Sequence, residues 1–407
     1  MKCGLLGRKL GHSYSPQIHA LLGNYSYQLF EKEPEEIGDF LKNGDFTGLN
    51  VTIPYKKEVI PFLDELSPAA ARLGAVNTIV RRDGKLIGHN TDYFGFRRLV
   101  QESGLQVAGK KVLVLGSGGA SSTAVAVLQE LGAKVTVISR SGENNYENLD
   151  RHADAAVIVN TTPVGMYPNT GKSALSLEGF PRLEGVLDAV YNPARTQILL
   201  DAERRGLAAV NGLWMLVAQA KESAEWFTGE KIPDSRIAKI HHALRLQMEN
   251  IILIGMPGCG KTAVGKQLAQ KLGKKFVDAD ESLEASICRK ITDIIPNDGE
   301  AAFREMESET LAELGKQSGL VIATGGGCVT QPQNYPLLHQ NGTIFWLKRE
   351  LDKLPTDGRP LSQKGTLGQM YEARMPLYLR FADAAISNDG SIAETAAAIC
   401  RKLEETT

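Results

Sequence analysis

The chain has 407 residues, more than one hydrophobic core usually organises, so two or three domains are expected. Apolar residues make up 43% and charged residues 23%, the balance of an ordinary globular protein rather than of a disordered or membrane-embedded one. A formal net charge of -1 supplies no field to gather nucleic acid or an anionic membrane, so an anionic ligand must be held by local groups.

The opening residues, MKCGLLGRKLGHSYSP, lack the apolar core of a signal peptide, and nothing later approaches the roughly 18 apolar residues that span a bilayer. The cysteines Cys3, Cys259, Cys288, Cys328 and Cys400 form no Cys-x-x-Cys pair and no metal-site spacing. That fits reduced thiols in a cytoplasmic protein.

Four short polar clusters occupy the first hundred residues: GHSYSP, GLNVTIPYKK, GAVNTI and GHNTDYFG. Each alone reads as a loop, a turn or a helix cap, with Lys56 a solvated lysine. Together they offer hydroxyls, amides, one lysine and one aspartate to a polyhydroxylated ligand. Reducing a ketone requires a proton donor at the developing alkoxide, and an ammonium held by a carboxylate supplies one.

KKVLVLG, STAVAVLQELG and AKVTVIS then alternate as strand, helix and strand of a parallel α/β sheet. Gly116 and Gly118 lie between the first strand and the helix in a G-x-G-x-x pattern, with Ser121 where a third Gly or Ala is usual. The next strand leads into Arg140, where a carboxylate would favour NAD through the ribose 2′-hydroxyl. A cation there suits the 2′-phosphate of NADP.

With NTTPVGM, DAVYNPARTQILL and NGLWMLVAQA further on, the chain from residue 1 to about 245 resembles shikimate dehydrogenase. The resemblance implies that Ser13, Ser15, Thr52, Asn77, Tyr191 and Gln219 bind 3-dehydroshikimate or shikimate. Lys56 and Asp92 become the catalytic pair, with Asp92 either moving a proton or orienting Lys56. Gly116, Gly118, Gly119, Arg140 and Ser141 bind NADP. It further implies a substrate-binding α/β domain over 1–101, completed by a returning helix within 213–245, and an NADP-binding Rossmann domain over 102–212. Ser139, where the family often has Asn, and Tyr93, where Gly is common, are departures.

WFTGEKIPDSRIAKIHHALRLQ is polar and mostly helical in pattern, broken at Pro233, and leads to a boundary near Met248. NIILIGMPGCGKTAVGKQLAQKLG is a second strand, glycine loop and helix. Gly255, Gly260, Lys261 and Thr262 fill the spacing G-x-x-x-x-G-K-[ST], and Gly258 lies inside the loop. Glycines turn backbone N–H groups toward phosphate oxygens, the lysine reaches the terminal phosphates and the threonine hydroxyl binds magnesium. FVDADES puts Asp278 and Asp280 at a strand end on one face; alone such a pair is usually a solvated helix cap, and beside a phosphate loop it can serve magnesium and a substrate hydroxyl. Arg304 and Glu307, one turn apart, read in isolation as a surface ion pair. Gly325, Gly326 and Gly327 end a strand in a way that requires backbone to approach a ligand closely. Arg359 in DGRPLS and Arg374 in RMPLY complete three arginines fit for a small carboxylate and a transferring phosphoryl group.

Met248 to about Ala382 resembles shikimate kinase, so the third domain, 248–407, is expected to be a phosphate-loop α/β domain with a parallel sheet, and Met248 reads as the former start of a separate kinase. The resemblance implies that Asp280 holds the acceptor hydroxyl and takes its proton, that Thr262 and Asp278 serve Mg2+ and that Lys261 contacts the transferred phosphate of ATP. Arg304, Arg374 and Gly325, Gly326 and Gly327 grip the carboxylate and ring hydroxyls, and Arg359 belongs to the lid over ATP. The segment RELDKLPTDG before Arg359 is shorter than in the family, and Cys259 sits where a small inert residue is usual. The expected function is bifunctional: NADPH-dependent reduction of 3-dehydroshikimate to shikimate, then ATP-dependent phosphorylation. Two other readings are a kinase-like half acting as a nucleotide-binding regulator and a first half oxidising quinate. Arg140 and the joined kinase favour synthesis.

Overall fold

Short apolar runs resolve into three separate sheets in the computed structural model, which describes residues 1–11, 13–354 and 367–405. The first sheet contains β1 (Lys2–Gly7), β2 (Ser26–Glu31), β3 (Gly48–Val51), β4 (Glu65–Leu66), β5 (Thr78–Arg82) and β6 (Lys85–His89) in the order β2-β1-β3-β5-β6-β4. It is mixed, with β5 antiparallel to both neighbours. Its helices are α1 (Ser15–Leu22), α2 (Ile37–Asn43) and α3 (Pro68–Leu73), and α4 (Asp92–Glu102) leads out of it. Pro16 presets the first turn of α1, and the Ser67 hydroxyl caps α3 by accepting from Ala70 N.

The second sheet contains β7 (Lys111–Leu115), β8 (Lys134–Ile138), β9 (Val157–Asn160), β10 (Gly185–Asp188) and β11 (Ala208–Val210), all parallel in the order β11-β10-β9-β7-β8. Because side chains alternate across a strand, Val112 and Val114 join one buried cluster while Leu113 and Leu115 join the other. That is why β7 reads as a continuous apolar run. The helices are α5 (Gly119–Glu130) and α6 (Gln197–Arg204). α7 (Leu213–Thr228) then returns to the first sheet and packs along α4. A Cβ on Gly95 of α4 would lie 2.6 Å from Met215 O, so only glycine lets the two helices approach this closely.

α8 (Ser235–Met248) precedes the third sheet, and the division between the two compact units of the chain falls within it, after Ala243. Residues 166–171 and 192–197 group with the second unit. The third sheet contains β12 (Asn250–Ile254), β13 (Lys275–Asp278), β14 (Leu320–Ala323), β15 (Gly342–Lys348) and β16 (Ala384–Ser387), parallel throughout in the order β13-β14-β12-β15-β16. Its helices are α9 (Lys261–Leu272), α10 (Ala279–Ile287), α11 (Ile291–Lys316), α12 (Asn334–His339), α13 (Leu367–Phe381) and α14 (Ile392–Glu405). α11 is broken at Gly299, where φ is 89°. Among the described residues no helix is long and apolar enough to cross a membrane, and all five cysteines are free thiols.

Buried Gly315 of α11 lies against α12, where an added Cβ would sit 1.9 Å from Leu337 O. Gly315→Ala is expected to destabilise the C-terminal unit by roughly 1–3 kcal/mol through overpacking, seen as a lower urea midpoint for loss of its structure. An unchanged midpoint would contradict this packing.

Candidate active sites

The turn after β3 carries Lys56 and is pinned on both sides. Tyr55, fully buried, donates its hydroxyl to Lys32 O at 2.5 Å, and Val76 N donates to Lys56 O at 2.7 Å. Lys56 Nζ donates to Asp92 Oδ2 at 2.5 Å. Asp92 opens α4 and is buried, where the positive end of the helix dipole favours its negative charge. A partly buried ion pair of this kind leaves an uncompensated charge if either partner is removed.

Beside the pair, Asn77 Oδ1 accepts from Thr91 N at 2.7 Å, and Asn77 Nδ2 donates to Thr91 Oγ1 at 3.0 Å and Gln219 Oε1 at 3.4 Å. Lys56, Asp92, Asn77 and Gln219 are therefore brought together from four distant parts of the chain. Ser13 Oγ accepts from Ser15 N at 3.2 Å. Thr52 N donates to Leu6 O at 3.0 Å at the end of β1, in the turn that carries Lys56. Tyr191 stands edge-on to Tyr14 with ring centroids 6.2 Å apart.

Sequence reasoning missed the buried layer beneath these residues. Tyr27 OH donates to Asn50 Oδ1 at 2.7 Å, Asn50 Nδ2 donates to Ser223 Oγ at 2.8 Å, and Ser223 Oγ lies 2.8 Å from Thr78 Oγ1 and 2.9 Å from Thr91 Oγ1. The one available signal was Asn50, a polar residue inside an otherwise apolar strand.

In the second sheet, Gly116 follows β7 with φ 103°, and a Cβ there would press on Thr162 Cγ2 at 3.1 Å. Gly118 and Gly119 begin α5, and a Cβ on either would meet nothing within 4 Å. They leave open space at a helix N-terminus, a natural seat for phosphate. Arg140 and Ser141 are exposed in the turn just past β8, the strand beside β7. The residues present thus fit a dinucleotide with an extra phosphate on its ribose.

The C-terminal unit contains a cavity of about 410 Å³ lined by Gly258, Gly260, Lys261, Thr262, Asp278, Asp280, Arg304, Gly325, Gly326, Gly327 and Arg374. Every residue expected for this site that falls within the described chain is there except Gly255, which opens the loop; Arg359 lies outside the described residues. Lys261 Nζ donates to Gly255 O at 2.9 Å and Met256 O at 3.1 Å. Buried Cys259 fills space inside the loop, its carbonyl accepting from Asn388 Nδ2 at 2.6 Å. Thr262 Oγ1 donates to Asp278 Oδ2 at 2.9 Å, while Asp278 Oδ1 accepts from Asp280 N at 3.1 Å. Among the described residues no group of three or more His, Cys, Asp or Glu could hold a metal by itself. Thr262 and Asp278 fit a magnesium ion whose remaining ligands are phosphate oxygens and water.

Two expectations are corrected. Asp278 ends β13 and caps α10, so Asp280 sits in the first turn of a helix rather than beside Asp278 on a strand face. Arg304 and Glu307 are not a surface pair: they are 6% and 2% exposed, joined at 2.7 Å, and both line the cavity. Burial raises the Glu307 carboxyl above its usual range despite Arg304, and Glu307 Oε1 has no hydrogen-bond partner among the described residues. Burial, then the charges of Glu307 and Asp278, push Asp280 up to about 6. Ile291, Ile295 and Phe303 close the cavity with apolar surface that no motif indicated.

Side chains at the three glycines would press on the groups that line the cavity. A Cβ on Gly325 would lie 2.5 Å from Glu307 Oε1 and 2.9 Å from Asp280 Oδ1, on Gly326 2.7 Å from Pro257, and on Gly327 2.2 Å from Arg304 Nη2. Their absence of side chains lets the acidic pair, the phosphate loop and the arginine converge on one backbone turn.

A family model described as shikimate dehydrogenase substrate binding domain matches residues 5–79. The shikimate dehydrogenase (NADP(+)) of Clostridium perfringens strain SM101 is 38% identical over 264 residues, covering 60% of this chain and 97% of that protein. The chain belongs to the shikimate dehydrogenase family. Among solved structures, shikimate dehydrogenase 1 from Peptoclostridium difficile is similar with a TM-score of 0.55 at 39% identity, covering 60% of this chain and 98% of its own. Shikimate 5-dehydrogenase from Thermus thermophilus, solved with NADP(H) and shikimate, is similar with a TM-score of 0.54 at 30% identity, covering 60% and 99%. A second family model, shikimate kinase, matches residues 257–404, the part of the chain that holds the cavity. The chain is thus a bifunctional enzyme of the shikimate pathway, a dehydrogenase followed by a kinase.

The raised Asp280 carboxyl has a stability signature. Its charge costs the folded state nothing at pH values where it is protonated both folded and unfolded, and the full amount above about 6. Asp280→Asn is therefore expected to stabilise the kinase unit at pH 8 by more than about 1 kcal/mol, with the gain fading toward pH 4. Equal stability at both pH values would contradict the assignment.

Proposed function

We propose that the N-terminal half reduces 3-dehydroshikimate to shikimate with NADPH and that the C-terminal half phosphorylates the 3-hydroxyl of shikimate with ATP and Mg2+. The observation that carries the second step is that one cavity combines a phosphate loop with Asp280, two arginines and the triple glycine. The division of labour follows the sheets: 1–101 with 213–245 for the substrate, 102–212 for NADP and 248–407 for the kinase.

NADPH would supply the hydride and leave as NADP+; Gly116, Gly118 and Gly119 would hold its pyrophosphate, and Arg140 and Ser141 its 2′-phosphate. Lys56 donates a proton to the oxygen of the developing alkoxide, and Asp92 holds the ammonium in place. Asn77 and Gln219, already joined to each other, orient ring hydroxyls, and Ser13, Ser15, Thr52 and Tyr191 complete the substrate set. Arg140 supports NADP over NAD, which favours synthesis over quinate oxidation.

ATP with Mg2+ supplies the phosphoryl group, held by Gly258, Gly260, Lys261 and Thr262 with Asp278 on the metal side. Asp280 accepts the proton of the 3-hydroxyl: a carboxyl near 6 is ionised at neutral pH and is a stronger base than an ordinary aspartate. Arg304 and Arg374 bind the carboxylate, with Glu307 keeping the Arg304 guanidinium in place. Arg359 acts over the nucleotide.

Lys56→Ala should lower reduction of 3-dehydroshikimate by about 10²- to 10⁴-fold and leave phosphorylation unchanged, and Asp280→Asn should do the reverse. Loss of both activities in either variant would contradict independent sites. Phosphorylation by the unaltered chain should fall about tenfold per pH unit below about 6 as Asp280 protonates. A flat kcat/KM from pH 7 to 5 would remove Asp280 as the base.

A further inference from the structure

Tyr378 on α13 is fully buried, stacked on Trp346 with ring centroids 5.6 Å apart and planes 20° from parallel. A buried phenol needs a partner, and here the hydroxyl donates to Gly326 O at 2.5 Å. Arg374 Nη1, one helical turn earlier, reaches the same carbonyl at 3.3 Å. Burial pushes the Tyr378 phenol above its ordinary range, so it remains a donor at every working pH.

The other carbonyls of the glycine turn are also committed to the protein. Gly325 O accepts from Cys328 N at 3.3 Å, and Gly327 O accepts from Thr330 N at 2.9 Å and Thr330 Oγ1 at 2.7 Å. Among the described residues no acceptor is bonded to the N–H of Gly325, Gly326 or Gly327, and all three residues line the cavity. In a trans peptide the C=O and the following N–H point in opposite directions. Fixing Gly326 O toward α13 therefore fixes the Gly327 N–H away from α13.

We propose that Tyr378 is a positioning residue of the kinase site. Its hydroxyl is the shorter of the two bonds to the Gly326 carbonyl, which sets the Gly326–Gly327 peptide for binding the anionic end of the substrate and lets Arg374, held there only by a long Nη1 contact, turn to the same group. Tyr378 itself touches no reacting atom. Without it, Arg374 becomes the remaining donor to Gly326 O and is drawn away from the ligand.

The inference rests on the kinase reading, and the test separates the two. Tyr378→Phe keeps the ring and its stacking and removes only the hydroxyl. In the full chain it should raise KM for shikimate about tenfold, the order expected for one displaced charge-assisted contact. KM for ATP, kcat and dehydrogenase turnover should stay within about twofold. An unchanged KM for shikimate would overturn the proposal alone. A matching rise in KM for ATP, or a fall in kcat with a lower melting temperature, would mean a general structural role and would also overturn it. Failure of the unaltered chain to phosphorylate shikimate would instead overturn the kinase reading and this proposal with it.

Discussion

Strand register at the carboxyl end of each parallel sheet is the constraint on which both nucleotide sites depend. In the kinase sheet, Leu253, Ala323 and Asp278 occupy one row across β12, β14 and β13. The phosphate loop, the triple glycine and the acidic turn begin within two residues of that row, so they emerge side by side. In the second sheet Leu115 pairs with both Ile138 and Asn160, which brings Gly116, Ser139 and Thr161 out together. A slip of one residue in either sheet would exchange the side chains of its two buried faces and separate the loops at once. Ligands of open α/β sheets collect at this edge for that reason.

The charges gathered there are handled in two ways. Lys56 and Asp92 form a direct pair, with the aspartate in the first turn of a helix. The kinase cavity instead buries two carboxyls, Asp280 and Glu307, around Gly325, and only Glu307 has a direct ion pair, with Arg304. Burial, then the neighbouring charges of Glu307 and Asp278, raise Asp280 to about 6, a cost to the fold at the place where a base is required.

Glycines made much of this legible in the sequence. Gly116, Gly255 and Gly260 adopt positive φ, and the spacing of such residues after an apolar run is visible without coordinates. The parallel sheets were equally legible from their apolar runs. What stayed hidden depends on tertiary burial. Arg304 and Glu307 have the spacing of any helical surface pair, and only packing against Gly325 and Gly327 buries them. The link from Asn50 to Ser223 spans 173 residues, beyond the reach of any local pattern. For Asp278 and Asp280 a strand end and a helix cap were both readable from the same short acidic sequence, and only the structure separates them.

The central claim is that one chain carries both chemistries in full. The direct measurement supplies the purified chain with 3-dehydroshikimate, NADPH, ATP and Mg2+ and follows NADPH and shikimate 3-phosphate together. The account predicts that NADPH falls while shikimate 3-phosphate appears. Loss of NADPH with shikimate accumulating and no phosphate ester would contradict it.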